Sequence, residues 1–79
     1  MKEFENRVAA ELARARQLHP QRQPSLHHGF AVLLEEVGEF KAHVFKKDSE
    51  RNYEEMLTEL VQIAACAQRT AEEGIFPKL

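Results

Sequence analysis

The chain has a single cysteine, Cys66, so no intrachain disulfide can form, and a lone thiol among 79 residues fits a reducing compartment. It has no basic excess: the formal net charge is −2 with 30% charged residues, which removes the usual electrostatic footprint of a nucleic-acid binder. No apolar run approaches the roughly 18 residues of a membrane span, and Met1, Lys2, Glu3, Phe4 and Glu5 do not form the apolar stretch of a signal peptide. These absences predict a soluble cytoplasmic protein that binds neither nucleic acid nor membrane. Alternating strand patterns, internal repeats and low-complexity tracts are also missing, and no aromatic-rich cluster announces a base pocket.

What is present is helical periodicity. Phe4, Val8, Leu12 and Ala15 recur at steps of four, four and three, which predicts an amphipathic helix over residues 2 to 18. Pro20 and Pro24 bracket a linker from His19 to Pro24. Ser25 is suited to N-cap a second helix reaching Lys46 or Lys47, with Leu26, Phe30, Leu33, Val37, Phe40 and Val44 along one side. Asp48 is expected to cap a third helix whose core positions are Tyr53, Met56, Leu60, Ile63, Ala64 and Ala67. Gly74 is expected as its C′ residue, and Pro77 prevents continuation. The fold class is all-α, with residues 1 to 79 forming one domain.

A domain of this size buries only about 60 to 65% of the surface its unfolded chain exposes. The second helix also carries another apolar and small-residue side, Ala31, Leu34, Gly38, Ala42 and Phe45. Two neighbouring helices cannot cover both sides, so the pattern predicts a homo-oligomer, a dimer or a dimer of dimers.

The remaining sector of the second helix holds Glu36, Glu39 and His43, and on the third Glu55, Glu59, Gln62 and Cys66 share one face. Glu36 and Glu59 each adjoin an apolar stripe, so two acidic edges are expected to face one another. Carboxylates at a core margin are costly to desolvate unless a cation compensates them. A divalent metal, and with it phosphate chemistry, is the implied use. Other acids, among them Glu35, Glu54 and Glu72, fit a solvated helix face as well. His27 and His28 suit a first-turn or surface role, and an i, i+4 pair such as Glu39 and His43 is an ordinary surface interaction. A carboxylate-bridged di-iron site is rejected, because neither helix supplies the Glu-x-x-His pair it requires. Cys66 reads as a small core-edge residue, since no His or Lys lies a turn away on its helix to activate it.

Glu35-Glu36-x-x-Glu39, nineteen residues, then Glu59-x-x-Gln62 resembles the EExxE…ExxD signature of the all-α nucleoside triphosphate pyrophosphohydrolases, the MazG-like superfamily. The resemblance covers Ser25 to Glu73. It implies a helical bundle completed by oligomerisation, Mg²⁺ or Mn²⁺ held by the acids, and cleavage of a nucleoside triphosphate to the monophosphate and pyrophosphate. Glu36, Glu39 and Glu59 match metal ligands of that family and Glu35 the first acid of its motif. Gln62 stands where the family has Asp, and its neutral carbonyl is a poorer Mg²⁺ ligand. Three glutamates can suffice for an ion that keeps several waters and substrate phosphates, and Glu55, one turn before Glu59, could restore the fourth charge.

In this reading Glu36, Glu39, Glu59 and Gln62 hold metal, and Glu35 or Glu55 is the catalytic base or an outer ligand. Lys46, Lys47 and Arg51, around the turn between the acidic helices, are candidates for substrate phosphate, although lysines at a helix C-terminus are also favoured by the helix dipole. Arg14, Arg16 and Arg22 flank the first loop as further candidates, and Phe30, Phe40 and Tyr53 could meet a base. The competing reading is a catalytically degenerate helical module for dimerisation or partner binding.

Overall fold

The computed structural model describes residues 2 to 79, which form three helices: α1 (Lys2–Leu18), α2 (Leu26–Val44) and α3 (Tyr53–Thr70). Short 3₁₀ turns cover Asp48–Glu50 and Phe76–Lys78, and a π turn, Ala71–Ile75, extends α3. Among the described residues there is no strand, and no helix is long and apolar enough to cross a membrane.

α3 lies between the other two helices and packs against both. Val8 and Leu12 of α1 meet Val61 and Ala65 of α3 in the buried core, with Leu57 and Ala64 partly buried beside it. The α1 stripe is therefore the one its spacing indicates. On α3 the buried stripe differs from expectation: Tyr53 and Ala67 are exposed, and Leu60 retains 38% of its surface. Helical spacing alone admits either stripe, and the short side chains at Val61 and Ala65 let α1 approach. In α2 the buried residue is Gly29, which sits so close to α3 that an added Cβ would lie 2.7 Å from Thr70 Oγ1.

Three helix boundaries depart from the sequence reading. Ser25 caps α2 as expected, its hydroxyl accepting from the His28 amide at 3.1 Å. The helix nevertheless stops at Val44, where the Lys46 amide donates to the His43 carbonyl in a tighter turn. Asn52, not Asp48, caps α3, accepting from the Glu55 amide at 3.1 Å. Asp48 instead braces the connection, accepting from Arg51 at 3.1 Å and from the Tyr53 hydroxyl at 2.9 Å. Gly74 is not a left-handed C′ residue, because no described residue has a positive φ and the chain continues through the π turn. Its missing side chain serves packing, since a Cβ there would come within 2.7 Å of Leu26 Cδ2.

A single copy leaves much of α2 uncovered. Phe30 keeps 63% of its surface, Leu34 57% and Phe45, just beyond the helix, 79%, with Ala31, Val37, Gly38 and Ala42 also exposed.

Candidate metal centre

Glu36 and Glu39 lie three residues apart on α2, hence on one face, and α3 presents Glu59 to that face. One carboxylate oxygen from each lies within 4.8 Å of the other two. Glu36 and Glu59 are half-buried and Glu39 is exposed. Oε2 of Glu36 and Oε2 of Glu59 are both shut off from solvent and have no hydrogen-bond partner among the described residues.

Carboxylates this close cannot all ionise freely. Burial, reinforced by the charges of Glu39, Glu59 and Glu35, pushes Glu36 up to about 7. Glu39 is also raised, first by the nearness of the Glu59 carboxylate and the charge of that residue, with Glu36 and His43 acting in the opposite direction. At neutral pH the protein alone therefore relieves the cluster by sharing protons. Two buried oxygens of the cluster have no donor among the described residues. An all-oxygen donor set suits a hard divalent ion such as Mg²⁺ or Mn²⁺.

The other sequence candidates divide. Glu35 is solvent-facing and acts on the cluster through its charge on Glu36. Glu55 is exposed, with Oε2 4.0 Å from Nε2 of His43, whose Nδ1 is buried without a partner. Gln62 lies beside Glu11 of α1. The Arg14 guanidinium, 2.6 and 2.7 Å away, holds Glu11 below the usual carboxylate range against the opposing effect of burial, and Gln62 adds to that stabilisation. Lys46 and Lys47 are exposed beyond the end of α2. The Arg51 guanidinium is taken up by the turn, donating to the Val44 carbonyl at 2.7 Å and to Asp48. Cys66 is half-buried against α2, its Sγ 3.9 Å from the Gly29 carbonyl, and burial raises its thiol pKa.

Next to the acids is a cavity of about 530 Å³ between the end of α1, the linker, α2 and α3. Glu36, Gln62, Arg14, Arg22 and His28 are among the residues that line it. Periodicity gave no indication of this space, because one part of its lining comes from His19 to Pro24, a segment without periodic structure.

The sequence reading also missed a polar network at the far end of α3. Arg69 is buried, and Glu72, expected on a solvated face, accepts from Arg16 at 2.8 Å and from Gln68 at 2.9 Å. The cue available in the sequence was an arginine, Arg69, four residues before Glu73, a spacing that pairs side chains on a helix. No family model matches the chain, and neither a curated protein nor a solved structure does.

Proposed function

We propose that the protein is a divalent-cation-dependent hydrolase that cleaves a nucleoside triphosphate to the monophosphate and pyrophosphate. The observation that carries this reading is the convergence of Glu36, Glu39 and Glu59 within 4.8 Å, two of them with buried, unpartnered oxygens. The resemblance of the Glu35–Gln62 segment to the MazG-like signature supports the choice of substrate, and the neighbouring cavity offers room for part of a nucleotide.

Glu36, Glu39 and Glu59 would hold the ion, Mg²⁺ or Mn²⁺, with the Gln62 carbonyl a weaker fourth contributor. Bound there, the ion supplies charge neutralisation and orientation for the phosphate oxygens. The reaction adds water to the α-phosphorus, forms a new P–O bond and breaks the bond to the bridging oxygen, which leaves with pyrophosphate. Glu35 or Glu55 accepts the proton released by the water. Glu55 has His43 beside it to take part in passing that proton to solvent. Lys46 and Lys47 are free to meet the negative charge of the triphosphate, whereas Arg51 would contribute by fixing the turn that presents them. In this reading the enzyme works in the cytoplasm as a dimer or dimer of dimers, a second copy covering the Leu34 and Phe45 side of α2.

A second reading, a non-catalytic dimerisation or partner-binding module, is favoured by one observation: the uncovered apolar surface of α2. Pyrophosphate release from a panel of ordinary and modified nucleoside triphosphates, with Mg²⁺ and with Mn²⁺, separates the two. Turnover of at least one member is expected. A folded protein that turns over none of them with either metal overturns the hydrolase reading.

A further inference from the structure

The linker between α1 and α2 has no regular structure of its own, and Pro20 and Pro24 remove two of its amide donors. Side chains from the end of α3 provide what it lacks. Arg69 Nη2 donates to the carbonyls of His19 and Gln21, each at 2.7 Å. Its Nε donates to Glu73 Oε2 at 2.8 Å, and Glu73 Oε1 accepts from the Gln23 amide at 2.8 Å. Arg16 of α1 joins the same carboxylate at 3.4 Å and reaches Glu72. Both acids lie in the π turn, a widening of the helix that often marks a functional segment. The Thr70 hydroxyl completes the attachment with a 3.1 Å hydrogen bond to the Gln23 side chain.

Arg69 retains only 8% of its surface. A buried ion pair is an expensive way to hold a loop, because apolar residues of similar volume often stabilise as well or better. What the charged fork adds is direction: it binds two carbonyls and a carboxylate at once in a fixed plane. The segment so fixed contributes His19, Gln21, Arg22 and Gln23 to the lining of the cavity that Glu36 also lines, and Arg69 itself reaches that lining.

We infer that Arg69 and Glu73 are a positioning pair, which sets the linker as the wall of the substrate cavity and thereby governs how tightly the cavity holds a nucleoside triphosphate. The inference rests on the hydrolase reading for its ligand, but its structural half does not. Neither residue belongs to the acid cluster, so their loss should act on binding and leave the metal and the chemical step in place.

The test uses Arg69→Lys, which keeps the charge and loses the fork, and Glu73→Gln, the milder change. Both are first shown to be helical and cooperative in melting. Hydrogen exchange over residues 19 to 24, with the Gln23 amide foremost, should accelerate in both variants. With a triphosphate that the wild type hydrolyses, KM should rise about tenfold while kcat stays within about twofold, the loss expected for charge-assisted hydrogen bonds that order a binding wall. The rise in melting temperature on adding Mn²⁺ alone should be unchanged. Unaltered exchange in the linker, or a fall in kcat at unchanged KM, overturns the inference. If the wild type hydrolyses no triphosphate, the functional reading falls together with the binding half of the inference, and exchange still decides whether the pair holds the linker. If Arg69→Lys does not fold, Glu73→Gln and Thr70→Val, which removes one attachment to Gln23, decide the same question.

Discussion

Glu36→Gln tests the strain in the acid cluster without requiring any substrate. In the folded protein Glu36 is pushed from the ordinary carboxylate value of 4.5 up to about 7, mainly by burial. Between those limits the folded state holds a proton that the unfolded chain has released, so stability falls as pH rises through the window. Full burial would make this loss about 3 kcal/mol. Because the residue is partly open to solvent, about 1 kcal/mol is the appropriate figure. In a domain of this size that is about 4 to 8 °C in Tm. Glu11, Glu72 and Glu73 are lowered, so their contributions are complete above the carboxylate range and flat from pH 5 to 8. Metal-free wild type should therefore lose about 4 to 8 °C between pH 5 and pH 8. Glu36→Gln should lose clearly less, retaining a small slope from Glu39, which Glu59 still raises. At pH 8 the variant should melt above the wild type, and Mg²⁺ or Mn²⁺ should reverse that order, because an ion at 100 times its Kd adds about 2.7 kcal/mol to the protein that binds it. Parallel melting curves for the two proteins across this range, with no metal response in either, would refute the argument that these carboxylates are strained and await a cation.

Three further outcomes follow from the same geometry. Gln62→Asp should tighten Mn²⁺ binding, measured by calorimetry, and lower metal-free stability, because it sets a second carboxylate beside Glu11; unchanged affinity would place position 62 outside the ion's reach. Gly38→Ala meets no atom of the described residues within 4 Å in a single copy, so it should stabilise a monomer through better helix propensity, by up to about 1 kcal/mol, but lower Tm if two α2 helices approach at that glycine. Phe45→Glu should reduce the mass measured by light scattering behind a sizing column and destabilise the protein together; if both stay as in wild type, that side of α2 is not an interface.

The sequence by itself determined that there are three helices and which acids share a helix face, because both follow from short-range spacing. Steps of three and four residues mark α1 whatever it packs against, and Ser25 before Leu26 starts α2 by supplying a hydroxyl to an otherwise unpaired amide. Glu36 and Glu39 share a face by helical geometry alone. Their meeting with Glu59 required only that α2 and α3 pack together across a short connection, which they do. Tertiary structure decided what depends on competition between equally periodic alternatives. Two apolar stripes on α3 have helical spacing, and contact with Val8 and Leu12 selected Val61 and Ala65 for the core. Asp48 and Asn52 are both good caps, and Arg51 and Tyr53 drew Asp48 into the turn, leaving Asn52 to cap α3. The linker could not be read because its order comes from residues such as Arg69 and Glu73, about 50 positions away. Hydrogen bonds over that distance leave no local pattern in a sequence. They exist only once α1, α2 and α3 have packed and brought the end of the third helix against the start of the second.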